Sequence, residues 1–206
     1  MIELLVATTN SGKFAEVQAF LGPLPIRIRS LGDLNDPPGV VEDGATFEAN
    51  ALKKARTLAD FSGLLTVADD SGLEVDALGG APGIYSARYC GREGNDDENN
   101  RKLLRELTGV AEAKRTARFV CALALCAPAG LAIADWTARE SCAGLITFEL
   151  TGMNGFGYDP LFFYVPFGKT FGEIGRDLKA TVSHRGKALK KLAQVLPQLV
   201  DLAVQP

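Results

Sequence analysis

The sequence is poor in the residues from which zinc sites and disulfide frameworks are built. It has four cysteines and one histidine among 206 residues, and no two cysteines form a CxxC pair. Such a set does not suit a zinc site, and it is typical of a reduced protein of the cytoplasm. The cysteines are Cys90, Cys121, Cys126 and Cys142. The sequence therefore predicts a cytoplasmic chain with free thiols.

Long apolar runs are also lacking. The longest covers residues 119–136, is interrupted by a Pro-Ala-Gly turn at residues 128–130, and contains Asp135. This composition predicts two strands joined by a turn, over residues 115–127 and 131–141, and it argues against a membrane span. The first residues have neither the basic segment nor the apolar length of a signal peptide, so no membrane partner is expected.

The charge balance excludes a strongly basic protein that binds nucleic acid. Lys and Arg number 22 against 25 Asp and Glu, which gives a net charge of −3, so no nucleic-acid polymer is expected as a partner. Hydrophobic residues make up 47% and charged residues 23%, and no low-complexity linker divides the chain. These features predict one domain over residues 1–206, in which local cations hold any anionic ligand.

An apolar strand followed by two carboxylates is the strongest signal of a site. Residues 64–68 predict a short buried strand, and Asp69, Asp70, Ser71 and Gly72 follow it directly. Two neighbouring Asp side chains repel each other unless a cation or a donor-rich ligand offsets their charge, and Mg²⁺ prefers such oxygen ligands. The same residues also favour a solvated turn without a ligand, so this segment alone leaves both interpretations open.

A polar segment joins the first predicted strand to a helix. Residues 2–7 predict the strand, and an apolar face at helical spacing begins after residues 8–13. Main-chain N–H groups, the helix dipole and the charge of Lys13 could bind phosphate there, although the spacing is not that of a Walker loop. The segment could equally be a helix cap formed by Asn10 or Ser11.

Glu42 and Asp43 precede a predicted helix that Thr46 would cap. Acidic residues are favoured at that end of a helix by its dipole, even without a function. The helix leads directly into the strand before Asp69, however. Packing of helix against strand could therefore bring Glu42 to the same end of the sheet.

Residues 153–160 place aromatic rings between glycines, where they are poorly placed for a core. A ring that a loop presents can stack on a nucleobase, and Phe156 is the ring expected to do so, with Asp159 as its polar partner. The alternative is a turn whose aromatic side chains pack against the sheet.

A basic segment at residues 179–187 precedes a predicted helix with one apolar face. Cations at a helix start oppose the dipole, so this segment, which contains the only histidine, His184, indicates an anionic or carbonyl-rich ligand. An ordinary surface histidine beside a basic helix is the alternative. Pro197 would begin the last part of the helix or kink it.

Five segments of the sequence together resemble the ITP/XTP and dITP/XTP diphosphatases, the Ham1-like family of noncanonical purine nucleoside triphosphate pyrophosphatases. In order they read ATTNSGKFAE, EDGATFEANALKKA, ADDSGLEVDALGGAPGIYSARY, NGFGYDPLFF and ATVSHRGKAL. The resemblance implies an α/β, ITPase-like fold with a long twisted mixed β-sheet and two lobes of helices that flank a central cleft. It also implies a single domain of two lobes, a homodimer, and Mg²⁺ as cofactor.

The activity that the resemblance implies is Mg²⁺-dependent hydrolysis of ITP, dITP and XTP to the nucleoside monophosphate and pyrophosphate, which cleanses the nucleotide pool. The metal would lower the pKa of a water, Asp70 would orient or deprotonate it, and Lys13 would stabilise the charge on pyrophosphate. A 6-keto purine would be selected if His184 or Arg185 donates to its O6 atom.

The resemblance also assigns site residues. The phosphates would be contacted by Thr8, Thr9, Asn10, Ser11, Gly12 and Lys13. The metal would be held by Glu42 and Asp70, with Asp70 also the general base, and the carboxylate pair described above adds Asp69. Substrate would be bound by Ser71, and its base by Phe156, Gly157, Tyr158, Asp159, Lys179, His184 and Arg185.

Two functions of other kinds stay open. One is a nucleotide-binding regulator without turnover, against which the three acids Glu42, Asp69 and Asp70 argue, because binding alone does not require them. The other is a Maf-like or other nucleotide pyrophosphatase that prefers a different base. A panel of substrates separates them.

Overall fold

The computed structural model describes residues 2–92, 94–131 and 133–204. The strands are β1 (Ile2–Ala7), β2 (Ile26–Ser30), β3 (Leu65–Val75), β4 (Thr116–Cys126), β5 (Trp136–Ile146), β6 (Phe162–Tyr164) and β7 (Lys169–Thr170). The α-helices are α1 (Ser11–Leu21), α2 (Phe47–Ser62), α3 (Asp96–Glu106), α4 (Arg176–Val182) and α5 (His184–Val204).

The seven strands form one sheet in the order β2-β1-β3-β4-β5-β6-β7. Strand β1 pairs in parallel with β2 and β3, whereas β6 pairs antiparallel with β5 and β7. The predicted α/β class with a mixed sheet is therefore confirmed. Among the described residues, no helix has both the length and the apolar composition to cross a bilayer.

Packing divides the chain into two compact units. The first comprises Met1–Asp70, Cys121–Glu140 and Arg185–Pro206, and the second comprises Ser71–Val120 and Ser141–His184. The boundaries fall inside β3, β4 and β5, so each of these strands contributes residues to both units.

The first unit has a core of aliphatic side chains from parallel strands and helices. Its buried members include Leu4, Val6, Val17, Leu21, Leu65, Val67, Leu123, Leu189 and Leu192. The helix starts form as predicted, because Asn10 Oδ1 accepts the Lys13 N–H at 2.9 Å and Thr46 Oγ1 accepts the Ala49 N–H at 3.1 Å. Helix α5 contains Pro197 in its interior.

The second unit has a core of aromatic rings and leucines. The ring centroids of Phe119 and Phe162 are 4.6 Å apart, and those of Phe162 and Phe171 are 5.0 Å apart. Leu103 and Leu107, at the end of α3, are fully buried in the same cluster. Aromatic pairs at such distances stabilise a core beyond the area that they bury.

Strand β3 does not end at residue 68 as predicted, but runs on through both aspartates. A Cβ atom at Gly72 would collide with the side chain of Ser86 and with the Gly83 carbonyl oxygen. Glycine therefore allows Ser86 Oγ to approach and accept the Leu73 N–H at 2.9 Å. The alternative of a solvated turn at residues 69–72 is wrong.

Two other predicted boundaries also move. Strand β5 begins at Trp136 instead of residue 131, because the turn is longer: the Leu131 N–H donates to Pro128 O and the Ile133 N–H to Leu131 O. The basic segment was expected to precede a helix, but much of it is helical. It covers the end of α4, an extended Ser183 with ψ 158°, and the start of α5.

Candidate active site

Asp69 on β3 is the centre of a buried charge network in the first unit. It is 5% exposed, and its Oδ1 accepts from Lys13 Nζ at 2.6 Å. Its Oδ2 accepts from Arg185 Nε at 2.8 Å and from the Cys121 thiol at 3.1 Å. Burial alone would raise the pKa of this carboxyl, but Arg185 and Lys13 outweigh it and hold the pKa well below its usual range. Donors therefore occupy both oxygens of an ionised carboxylate.

Arg185 links this network to α1. Its side chain is 2% exposed, and Nη1 donates to Glu16 Oε2 at 2.7 Å. Glu16 lies one turn after Lys13 on α1, so one face of that helix supplies a cation and an anion. The two carboxylates and two cations are balanced, which is the condition for charges to be tolerated in an interior.

Asp70, the next residue of β3, is not balanced in this way. It is 6% exposed, and in the described part of the chain no hydrogen-bond partner reaches its Oδ2. Burial and then the negative charge of Glu42 raise the pKa of Asp70 to about 6, although Lys13 and Lys54 oppose the shift. Because neighbouring residues of a strand point to opposite faces, the donors of Asp69 do not satisfy this oxygen. Asp70 therefore marks a place for a cation or a proton donor.

The loop before α2 brings Glu42 close to Asp70, as the packing argument predicted. Glu42 forms an ion pair with Lys54 of α2. Asn50, which is fully buried, holds the loop because its Oδ1 accepts the Gly44 N–H at 2.7 Å. The site thus combines one face of a helix with the middle of a strand.

The predicted trio of carboxylate ligands is not assembled as such. Across residues 2–92, 94–131 and 133–204, no three Asp, Glu, His or Cys side chains are arranged to hold a metal ion. The oxygens of Asp69 are bound by Lys13, Arg185 and a thiol. The carboxylates that fit a hard cation are those of Asp70 and Glu42, because they place like charges near each other and Asp70 offers an unpaired oxygen.

The polar segment before α1 has the form of a helix cap. Thr8 Oγ1 accepts the Asn10 N–H at 3.1 Å, and the Asn10 side chain is the cap. Thr9, Asn10 and Ser11 are exposed, whereas Gly12 and Lys13 are partly buried. The cap leaves the helix N-terminus open to an anion, and contact with phosphate stays a prediction.

Ser71 and His184 belong to the second unit. Ser71 follows Asp70 on β3 and is partly exposed, which is compatible with its predicted contact to substrate. His184 is 4% exposed and stacks on Phe119, with ring centroids 4.8 Å apart. The alternative of a surface histidine is therefore wrong.

The loop before β6 presents one aromatic ring and buries the other. Phe156 is partly exposed, and Lys179 Nζ lies 4.9 Å from its ring centroid. Tyr158 is 4% exposed, and its hydroxyl donates to Ser86 O at 2.9 Å. Tyr158 therefore packs as a core residue, whereas Phe156 keeps part of its ring exposed, and stacking of Phe156 on a base stays a prediction.

A buried ion pair fixes the same loop. Asp159 and Lys179 are 1% and 4% exposed and lie 2.6 Å apart, and Asp159 Oδ2 also accepts the Phe156 N–H at 2.9 Å. Gly155 has φ 77°, and the Asp159 carboxylate occupies the space of a Cβ atom there. The charge of Asp159 is thus neutralised, and its oxygen orients the main chain next to the exposed ring.

Sequence reasoning missed several residues of the charged site: Glu16, Asn50, Lys54 and Cys121. The spacing of Lys13 and Glu16 on one helix face could have indicated a shared site. The thiol of Cys121 gave no signal, because its contact with Asp69 joins residues 52 positions apart.

The fold and these contacts define a class: an α/β protein with a mixed sheet and with polar groups that suit an anionic ligand and a hard cation. The particular family follows from comparison. A model of the Ham1 family matches residues 4–195, and the chain belongs to this family.

Individual relatives agree with this assignment. The dITP/XTP pyrophosphatase of Syntrophobacter fumaroxidans is 52% identical over 96% of this chain and 83% of its own length. That of Desulforamulus reducens is 48% identical over 96% of this chain and 97% of its own. The solved structure of a HAM1 protein from Coxiella burnetii, 38% identical, superimposes with a TM-score of 0.86 and covers 96% of this chain and 100% of its own.

Proposed function

We propose that the chain is a nucleoside-triphosphate diphosphatase that hydrolyses ITP, dITP and XTP to the nucleoside monophosphate and pyrophosphate. Relatives that are 52% and 48% identical carry the name dITP/XTP pyrophosphatase. The observation that carries the proposal is Asp70, a buried carboxylate with an unpaired oxygen next to Glu42. Such an enzyme would remove noncanonical purines from the nucleotide pool. A homodimer in the cytoplasm stays a prediction.

Mg²⁺ is the cofactor that we propose, held by Asp70 and Glu42. A hard divalent cation prefers carboxylate oxygens and leaves positions for water and phosphate, which suits the like charges of the Asp70 and Glu42 carboxylates. When bound, the ion would polarise phosphate oxygens and make a water more acidic. Asp69 instead holds Lys13 and Arg185 in place.

Asp70 is the proposed general base. Its Oδ2 has no donor, so it can accept the proton of the water that attacks phosphorus. The oxygens of Asp69 already accept from cations, which stabilises the ionised form and makes it a poorer base. The two adjacent carboxylates therefore take different roles.

Lys13 is proposed to bind the phosphates. Asp69 holds its ammonium group at 2.6 Å, so the charge is fixed instead of free to move in solvent. The start of α1, where Thr9 and Ser11 are exposed and Thr8 is partly exposed, adds the positive end of a helix dipole. Phosphoryl transfer depends chiefly on positioning and electrostatics, which this arrangement supplies.

The second unit is proposed to recognise the base. Phe156 would stack on the purine, and Asp159 with Lys179 would hold the loop. Nε and Nη1 of Arg185 already donate to Asp69 and Glu16. Because these two groups are engaged, we propose His184 instead of Arg185 as the donor to the 6-keto oxygen of the base.

A substrate panel tests the proposal. Pyrophosphate release with Mg²⁺ is expected from ITP, dITP and XTP at rates far above those for ATP and GTP. Asp70→Asn is expected to lower kcat by roughly 10²-fold or more, because general-base catalysis is worth about that much. Asp76→Asn is the matched control, since this exposed carboxylate pairs with Arg118 and should keep full activity.

Four outcomes would reject the assignment. Equal turnover of ATP or inorganic phosphate as the product contradicts the proposed reaction. Preference for a pyrimidine or another base indicates a Maf-like enzyme. Tight binding of ITP without turnover indicates a regulator.

A further inference from the structure

We propose that Asp96 and Asn100 of α3 are positioning residues for base selection, because together they hold the main chain at Gly157. The inference rests on the proposed function, in which the loop of residues 155–159 contacts the base. Neither residue was a candidate in the sequence, where the start of α3 has only the acidic first turn that many helices share.

The two side chains bind both main-chain groups of one residue. The Gly157 N–H donates to Asp96 Oδ2 at 2.7 Å, and Gly157 O accepts from Asn100 Nδ2 at 2.9 Å. Positions four apart lie on the same face of a helix, so both contacts come from a single rigid element. Gly157 has φ 62°, a conformation that favours glycine, so the contacts hold a particular backbone shape.

The held peptide lies between the two rings of the loop. On one side Tyr158 is anchored through its hydroxyl to Ser86 O. On the other side is Phe156, the ring placed for stacking, whose N–H is bound by Asp159. Helix α3 therefore holds Gly157, the residue whose backbone conformation sets the direction of the Phe156 ring relative to the buried Tyr158.

Asn100 is an unfavourable residue for stability alone. It is 4% exposed, and none of the residues that the structure describes forms a hydrogen bond with its Oδ1. Turning the amide over would place this oxygen against Gly157 O, so the observed orientation is the better one. What the buried amide of Asn100 does is bind the main chain of the loop, through Nδ2 to Gly157 O.

Asn99 is a matched control on the same helix. It is 2% exposed, its Oδ1 accepts the Cys90 N–H at 2.8 Å, and its Nδ2 donates to Ala87 O at 3.3 Å. Like Asn100 it binds main-chain groups from a buried position of α3, but it uses both amide atoms and binds a different segment. Replacing it should cost comparable stability without loosening Gly157.

The test is the ratio of kcat/KM for dITP to that for dGTP. Asn100→Ala is expected to lower this ratio about tenfold, mainly through a higher KM for dITP, because displacement of a contact group by about 1 Å costs that much or more. Asn99→Ala is expected to lower the melting temperature similarly and leave the ratio unchanged. Asp96→Ala should lower the ratio, and Asp96→Asn, which keeps an acceptor for the Gly157 N–H, should restore it.

An unchanged ratio in both Asn100→Ala and Asp96→Ala would overturn the inference, and so would an equal fall in Asn99→Ala. If Asn100→Ala does not fold, the variants Asp96→Ala and Asp96→Asn decide. Asp96 is exposed, so its replacement should not prevent folding. Failure of the proposed function is a separate result: the wild-type chain would then release no pyrophosphate from dITP. In that case, equilibrium binding of ITP and GTP to the same variants gives the discrimination ratio without turnover.

Discussion

In the second unit, Asp159 and Lys179 neutralise each other at 2.6 Å while both are buried, whereas in the first unit Asp70 is buried without a partner for its Oδ2. The first arrangement needs nothing further, since charge and hydrogen bonds are satisfied. In the second arrangement one negative charge is in excess. Burial and the charge of Glu42 raise the free energy of the ionised Asp70 carboxylate. The comparison indicates that the loop proposed to bind the base is held in shape without a ligand, and that the charges around Asp70 would be stabilised by a bound cation.

The same contrast exists within two consecutive residues. Asp69 has Lys13 and Arg185, and Asp70 has Glu42 nearby. Removing the charge should therefore change stability in opposite directions at the two positions. Asp→Asn variants at the two positions test this difference in stability.

The largest effect is expected from Asp69→Asn. It removes the negative charge between the buried Arg185 and the partly buried Lys13, and breaking a buried ion pair from one side costs about 3–5 kcal/mol. Urea denaturation should show this loss in the free energy of unfolding. The control is Asp43→Asn, because Asp43 pairs with Lys53 at the surface and such pairs contribute about 0–1 kcal/mol. Equal losses in the two variants would contradict a neutralised core at Asp69.

Asp70→Asn is expected to stabilise the metal-free protein by about 1–3 kcal/mol at pH 7, while it abolishes activity. The pKa of Asp70 is raised from 3.8 to about 6, so the folded state of the wild type binds the proton more tightly than the unfolded state. Its contribution is favourable below pH 3.8 and is lost as pH rises through about 6. The advantage of the variant should therefore grow between pH 4 and pH 6 and then stay constant, as urea denaturation in EDTA measures. A variant that is less stable at every pH would contradict this account.

Local signals were sufficient for part of the fold and of the site. The caps at Asn10 and Thr46 depend on residues three positions away, and the approach of Glu42 to Asp70 follows from a helix that leads into a strand. The sequence did not predict that β3 continues through Asp69, because Asp and Gly favour turns and the partners that bury this carboxylate are distant. Arg185, for example, is separated from Asp69 by 116 positions.

The loop of residues 155–159, which is proposed to bind the base, shows the same limit of local signals. Glycines between aromatic residues indicated a loop that presents a ring, and Phe156 is placed accordingly. The sequence carries no signal that α3 holds this loop, because the bond from Asn100 to Gly157 spans 57 positions. Which ring faces outward depends on such contacts, and a single sequence does not contain them.

The smallest expected effect, and the most direct test of the comparison, is stabilisation by Mg²⁺. If the ion occupies Asp70 and Glu42, a concentration ten times its Kd should raise the free energy of unfolding by about 1.4 kcal/mol, or the melting temperature by roughly 3–6 °C. Asp70→Asn should lose most of this shift. Asn100→Ala should keep all of it, because that side chain lies in the second unit, where the charge of Asp159 is already neutralised. Calorimetry measures the shift in each variant. An equal shift in wild type and Asp70→Asn would mean that the ion binds elsewhere and does not offset the negative charge of Asp70 and Glu42.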